Sequence, residues 1–199
     1  MKIVIADYGV GNLYSISKGL EKSGASTELV SDMRRLLDAD CIVFPGVGAF
    51  GAAMSALRPI LPELRKKLCG GTPALGICLG MQILFQKSEE SVGQGIGVLG
   101  GEVRRFKRGR IPQMGWNDVI WTDDELFSGV ARGSQFYFAN SYVCCPSQDI
   151  EIAHSEYGER FPSAVRDGVI CGVQFHPEKS AGPGLRVLSN FIDIAEEAQ

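Results

Sequence analysis

The chain opens on an apolar run, Lys2–Asp7, that breaks at Gly9-Val10-Gly11-Asn12. Apolar residues then recur at Leu13, Ile16 and Leu20 as far as Gly24, a spacing that predicts a helix with one buried face. A second strand is expected at Ser26–Val30, then the polar stretch Ser31–Asp38, then a short apolar strand over Asp40–Phe44. That strand breaks at Pro45-Gly46-Val47-Gly48 into a helical segment carrying Ala52, Ala53, Ala56 and Leu57. Another helix, Leu64–Leu68, stops at Gly70-Gly71, and Pro73–Ile77 is the next apolar strand. Strands that are apolar throughout, alternating with helices, predict a parallel sheet covered on both faces.

The second half changes character. Strand-like runs at Gly101–Phe106, Asn117–Trp121, Phe136–Tyr142, Ile150–His154, Ser163–Val165 and Val169–Phe175 follow one another with few helical patterns between them. They predict an antiparallel extension of the same sheet rather than a second domain. Leu185, Leu188, Phe191, Ile192 and Ala195 mark a closing helix. The expected fold is α/β, an open and mostly parallel central sheet with helices on both faces and an antiparallel extension, as a single domain over residues 1–199.

Charge and composition narrow the classes. Lys and Arg number 20 against 23 Asp and Glu, a net charge of −3, which gives no general attraction to nucleic acid or membrane. The basic run Arg104–Arg110 reads as a solvated face, or as a patch for an acidic partner or anionic ligand. The apolar run Ala74–Phe85, broken by Gly76, Gly80 and Gln82, falls short of the ~18 residues of a spanning helix. The first residues lack the pattern of a secretory signal, so a cytoplasmic location with reduced thiols is expected. None of the six cysteines forms a Cys-x-x-Cys pair, and all but one read as small buried hydrophobes. With only His154 and His176 beside them, a metal site has few ligands to draw on; neither metal nor cofactor is expected. Gly46-Val47-Gly48-Ala49-Phe50-Gly51 fits a dinucleotide loop, but the next strand ends in Cys78 instead of an acid for the ribose.

The exceptional cysteine is Cys78, in Gly76-Ile77-Cys78-Leu79-Gly80 at a predicted strand-to-helix junction. This is a nucleophile elbow with sulfur for serine oxygen, its glycines relieving the crowding of a sharp turn. The helix that follows favours the thiolate, and the Leu79 N–H points to where an oxyanion forms. A thiolate nucleophile needs a base. His176 follows the apolar strand Val169–Phe175, at the strand end where ligands gather in open α/β sheets. Glu178, two residues on through the Pro177 turn, is placed to accept from the imidazole and set its tautomer. His154, on a polar strand edge, reads as a surface histidine.

Taken together, Gly76–Gln82, Pro45–Gly48 and Gln174-Phe175-His176-Pro177-Glu178-Lys179-Ser180 resemble the class I, or triad-type, glutamine amidotransferases, which have a flavodoxin-like fold. Asp7–Leu13, Pro112–Asn117 and Tyr137–Tyr142 are similar to the HisH branch of that family, the glutaminases of imidazole glycerol phosphate synthase. The resemblance covers essentially the whole chain. It implies hydrolysis of L-glutamine to glutamate and ammonia by Cys78, His176 and Glu178. It places oxyanion donors at Leu79 and Val47, and substrate contacts at Gly48, Gln82, Glu90, Ser141 and Tyr142. It also implies a heterodimer with a HisF-type (β/α)₈ synthase subunit, with Asn12, Met114, Trp116, Asn117 and Tyr137 at the interface. Stimulation by that partner is expected to work through an amide flip in Pro45–Gly48, which the glycines around Val47 make sterically cheap. The alternative is a related glutaminase serving another synthase, such as one of an amidino-sugar pathway.

Overall fold

The computed structural model describes residues 1–9 and 12–198, so Val10 and Gly11 of the first predicted turn lie outside the described residues. In chain order the first half contains β1 (Lys2–Ala6), α1 (Leu13–Lys22), β2 (Ser26–Val30), β3 (Cys41–Phe44), α2 (Phe50–Leu57), α3 (Leu61–Cys69), β4 (Ala74–Ile77) and α4 (Leu79–Leu84). A hairpin of β5 (Lys87–Ser88) and β6 (Ser91–Gln94) leads to β7 (Gly101–Arg105), β8 (Gln113–Asp118), β9 (Ile120–Trp121) and β10 (Gln135–Asn140). The chain then forms β11 (Tyr142–Pro146), β12 (Glu151–Glu156), β13 (Arg160–Asp167), β14 (Ile170–Val173) and α5 (Ala181–Glu197).

The main sheet runs β2-β1-β3-β4-β14-β13-β12-β9. Its first five strands are parallel and its last three antiparallel. The strands β3, β4 and β14 are buried along their whole length, as apolar runs sandwiched between two helical layers must be. Alternate residues of β1 serve the two faces. Ile3 and Ile5 pack in a core with α1 and α5, whereas Val4 and Ala6 pack in another with α2, α3 and α4.

The expected antiparallel extension is present, but it is smaller than the sequence pattern predicts. Only the runs that become β9, β12 and β13 form it. The run at Val169–Phe175 instead supplies β14, which pairs parallel with β4. The runs at Gly101–Phe106 and Phe136–Tyr142 leave the main sheet. The latter divides into β10, paired with β8, and β11, which pairs with β7 in a four-stranded sheet that includes β5 and β6. Alternation of apolar residues reports which faces of a strand are buried; it carries no information on which strand lies beside it.

Candidate active site

The sheet order alone brings the chemistry together. Adjacent strands β3, β4 and β14 end on the same edge, so Pro45–Gly48, Cys78 and the Gln174–Glu178 segment meet there, with Cys78 in the middle. Cys78 has φ +51°, in the left-handed region that non-glycine residues rarely occupy, and the α-helix α4 starts immediately after it. The glycines around it answer to close packing more than to turn conformation. A Cβ on Gly76 would stand 2.5 Å from the Gly80 carbonyl oxygen, and one on Gly80 would overlap the Phe44 carbonyl of β3. The elbow is therefore held backbone against backbone, and its strain falls on the nucleophile.

His176 and Glu178 are buried together, with Nδ1 donating to Oε1 over 2.8 Å. Burial works to lower the imidazole pKa, but the Cys78 sulfur and the Glu178 carboxylate outweigh it and raise it to about 10. The imidazole thus keeps its proton beside the sulfur. Its turn is tied down from behind: Ser180 Oγ donates to the His176 carbonyl at 2.6 Å and accepts from the Tyr137 N–H at 3.0 Å. The His176 N–H donates to the Tyr137 carbonyl at 2.8 Å. Gly46 fits between the catalytic pair: a Cβ there would lie 3.0 Å from Cys78 Cβ and 3.1 Å from His176 Cε1.

These groups open into a cleft of about 240 Å³, small enough for a ligand of amino-acid size. Its lining contains every residue expected to touch the reaction or the substrate except Glu178, which lies behind His176: Val47, Gly48, Cys78, Leu79, Gln82, Glu90, Ser141, Tyr142 and His176. Glu90 is half-buried; desolvation raises its pKa, against the opposing effect of the Phe50 backbone N–H. The Tyr142 carbonyl accepts from Gln82 Nε2 at 3.2 Å and from Asn140 Nδ2 at 3.0 Å, while the Ser141 carbonyl is taken by the Phe106 N–H. A larger cleft, about 510 Å³ between α2 and β6, carries Ser55, Arg58 and Ser91 but no catalytic pair.

One polar side chain at the centre was not singled out from sequence. Gln174 is fully buried with Nε2 3.4 Å from Cys78 Sγ. The signal for it is alternation carried past the end of β14: Gln174 and His176 both reach the Cys78 sulfur, whereas Phe175 between them enters the aromatic core against Phe136 and Phe138.

Of the five expected interface residues, Met114 and Trp116 are well exposed on β8, and Trp116 packs edge-on against Tyr137 of β10 at 6.2 Å. The Lys179 ammonium lies 5.5 Å from the Tyr137 ring on the same surface. Asn12 is exposed and caps α1, accepting from the Ser15 N–H. Asn117 projects to the other side of β8 from Trp116 and donates to the Glu156 carbonyl at 3.0 Å. His154 sits on β12, 3.9 Å from Glu151 and apart from the cleft lining. The reading of the remaining cysteines as buried hydrophobes fits Cys41, Cys144 and Cys171, but Cys69 is exposed and Cys145 partly so. Burial pushes the Cys41 and Cys171 thiols up to about 12, which keeps them inert. In the basic run, Arg104 is paired with Glu159 at 2.7 Å. No helix among the described residues is long and apolar enough to cross a membrane.

The chain is similar to known proteins along its whole length. The family model described as glutamine amidotransferase class-I matches residues 4–195. The imidazole glycerol phosphate synthase subunit HisH of Halobacterium salinarum is 43% identical, over 98% of this chain and 94% of that protein. The subunit of the same name from Methanothermobacter thermautotrophicus is also 43% identical, over 96% and 98%. Among solved structures, a crystal structure of a glutamine amidotransferase superimposes with a TM-score of 0.78 at 22% identity, covering 98% of both chains. PurLQS from Thermotoga maritima matches with a TM-score of 0.75 at 21% identity, over 96% of this chain and 97% of that one. These structural likenesses concern the fold; the sequence matches carry the assignment, and the chain belongs to the class-I glutamine amidotransferase family.

Proposed function

We propose that the chain is the glutaminase subunit of an imidazole glycerol phosphate synthase, one amidotransferase domain over residues 1–199 working in the cytoplasm. The observation that carries this reading is the Cys78–His176–Glu178 assembly in a cleft of amino-acid size, in a chain whose relatives bear that subunit's name. The Cys78 thiolate attacks the side-chain amide carbon of glutamine. The resulting oxyanion is held by the Leu79 N–H, which as the first amide of α4 has no partner within the helix, and by the Val47 N–H across the cleft. The His176 imidazolium gives its proton to the departing nitrogen, so ammonia leaves and a glutamyl thioester remains. Neutral His176 then takes a proton from water as it attacks the thioester, which releases glutamate and restores the thiolate–imidazolium pair. Glu178 orients the ring throughout.

Substrate glutamine is held by Gly48, Gln82, Glu90, Ser141 and Tyr142, with the Glu90 carboxylate suited to the α-ammonium. The ammonia goes to a HisF-type (β/α)₈ subunit, which converts PRFAR (a phosphoribulosyl-formimino aminoimidazole carboxamide ribonucleotide) to imidazole glycerol phosphate and AICAR. Docking of that subunit on Asn12, Met114, Trp116, Asn117 and Tyr137 is supported by the exposed apolar side chains of β8 beside the cleft mouth. The test is glutamate release by the purified chain, alone and with a HisF-type barrel plus PRFAR, against Cys78→Ala. Stimulation by the barrel, lost in Cys78→Ala, is the expected result. Cys78-dependent release that ignores the barrel would move the chain to another synthase, and release that survives Cys78→Ala would overturn the mechanism.

A further inference from the structure

We propose that Gln174 is a further catalytic residue of this site, its side-chain amide donating a hydrogen bond to the Cys78 sulfur and holding the thiolate in line for attack. The proposal rests on Cys78 being the nucleophile. Gln174 is wholly buried just beyond β14, with one end of its amide 3.4 Å from Cys78 Sγ and the other 3.2 Å from the Gln82 amide.

Which end is nitrogen follows from the neighbours. The Gln82 nitrogen that faces Gln174 also reaches the Tyr142 main-chain carbonyl at 3.2 Å. A carbonyl only accepts, so the Gln82 group there must be its NH₂. Its second N–H then requires an acceptor on Gln174, namely Oε1, and the Gln174 NH₂ is left facing the sulfur. Turning both amides over would set the Gln82 oxygen against the Tyr142 carbonyl oxygen in a buried site, two acceptors with no proton between them. Turning Gln174 alone would oppose two NH₂ groups. The Tyr142 carbonyl, a fixed point of the backbone, thus dictates through two side chains that the sulfur meets a donor.

The donor has a purpose there. Sγ lies 3.8 Å from the Ala139 carbonyl, a contact that suits a thiol and repels a thiolate. Gln174 and His176, two residues apart in the segment that follows β14, both present N–H donors to the sulfur and oppose that repulsion. Among the described residues Cys78 Sγ is the one partner of the Gln174 nitrogen, so this buried amide is satisfied through the nucleophile.

The test is the pH profile of Cys78 alkylation by iodoacetamide in the full chain without glutamine, read by mass on the Cys78 peptide because Cys69 is exposed. Gln174→Met keeps an unbranched side chain of similar length and removes the donor. Alkylation at neutral pH is expected to slow about ten- to hundredfold, with the profile displaced to higher pH. Glutaminase kcat should fall in parallel while KM for glutamine stays within about twofold. A folded Gln174→Met chain whose alkylation profile superimposes on that of the parent would overturn the proposal. Should that variant fail to fold, Gln174→Glu decides: it keeps the acceptor for Gln82 but sets a carboxylate against the sulfur, so the profile moves up, and an unmoved profile overturns the proposal equally. Because alkylation needs no glutamine, failure here is distinct from failure of the parent chain to hydrolyse glutamine.

Discussion

Two walls of the cleft are written in similar sequence, glycine-flanked residues after an apolar strand, yet they are built in opposite ways. In Gly76–Gly80 the glycines are needed for contact: a Cβ on either would run into backbone, and the cysteine between them is forced to φ +51°. In Pro45–Gly48 the far end lies at the surface. Val47 is only half-buried, and Gly48 is exposed with φ +116°, a conformation that side chains other than hydrogen rarely adopt. Gly46 is the seam where the open segment meets the closed one, 2.6 Å from the Ile77 carbonyl measured at its absent Cβ. Glycine thus does two jobs across one cleft. On the nucleophile's side it allows close packing of backbone against backbone; on the oxyanion side it allows a positive φ at an exposed position.

Substitutions can break this contrast. The largest effect is expected for Gly80→Ala, whose new methyl must displace β3 backbone. Thermal unfolding should show a loss on the order of 3 kcal/mol or more, and a melting temperature close to that of the parent would show that the elbow is less tightly packed than described. Gly46→Ala should be less costly to the fold but should push Cys78 and His176 apart. A drop in kcat of about a hundredfold is expected, since an ångström of misplacement is costly in catalysis, beside a stability loss smaller than that of Gly80→Ala because the clash with the Ile77 carbonyl is the milder one.

Glu178→Gln leaves both walls in place and changes only the charge behind His176. The His176 pKa lies at about 10, above its ordinary 6.5, so its pairing stabilises the fold fully below about pH 6.5 and that contribution is lost as pH rises toward 10. Without the carboxylate, burial is less opposed and the pKa falls. The alkaline limb of the glutaminase profile should then move to lower pH, with kcat down by about ten- to a hundredfold. An unmoved limb would mean that Cys78 alone holds the imidazole charged. The smallest effect on stability is expected for Gly48→Ala, about 1–2 kcal/mol for a side chain at positive φ on an exposed residue. Its readout is stimulation by the HisF-type partner, which should shrink more than the unstimulated rate.

Much of this was legible along the chain. The apolar strands β1, β3 and β4, the sharp turn at Cys78 and the pair His176–Glu178 all rest on local pattern, and each is found where its residues predicted. What escaped was long-range. The run Phe136–Tyr142 reads as one strand, but Ser141 separates two strands that join different sheets. Gln174 lay inside a noticed motif, and nothing adjacent in sequence reveals that its amide ends on a sulfur 96 positions away. Relief of a crowded turn accounts for Gly76, whose absent Cβ faces the Gly80 and Met81 backbone, but the requirement for Gly80 comes from β3, through the Phe44 carbonyl 36 residues earlier.

By itself, then, the sequence determined the chemistry available and the elements that carry it. Helix and strand periods, turn residues and a cysteine set between glycines are properties of short stretches, decided by backbone sterics and by burial of one face or two. Only the tertiary structure decided which chemistry meets which. The order β3-β4-β14 brings three strand ends, distant in sequence, to one edge; the buried amides of Gln82 and Gln174 are oriented by a carbonyl from β11; and the proton on His176 is retained because a sulfur and a carboxylate from two different turns lie against it. Hydrogen bonds and charge interactions act over a few ångströms of space and are indifferent to distance along the chain, so they exist only once the fold has closed.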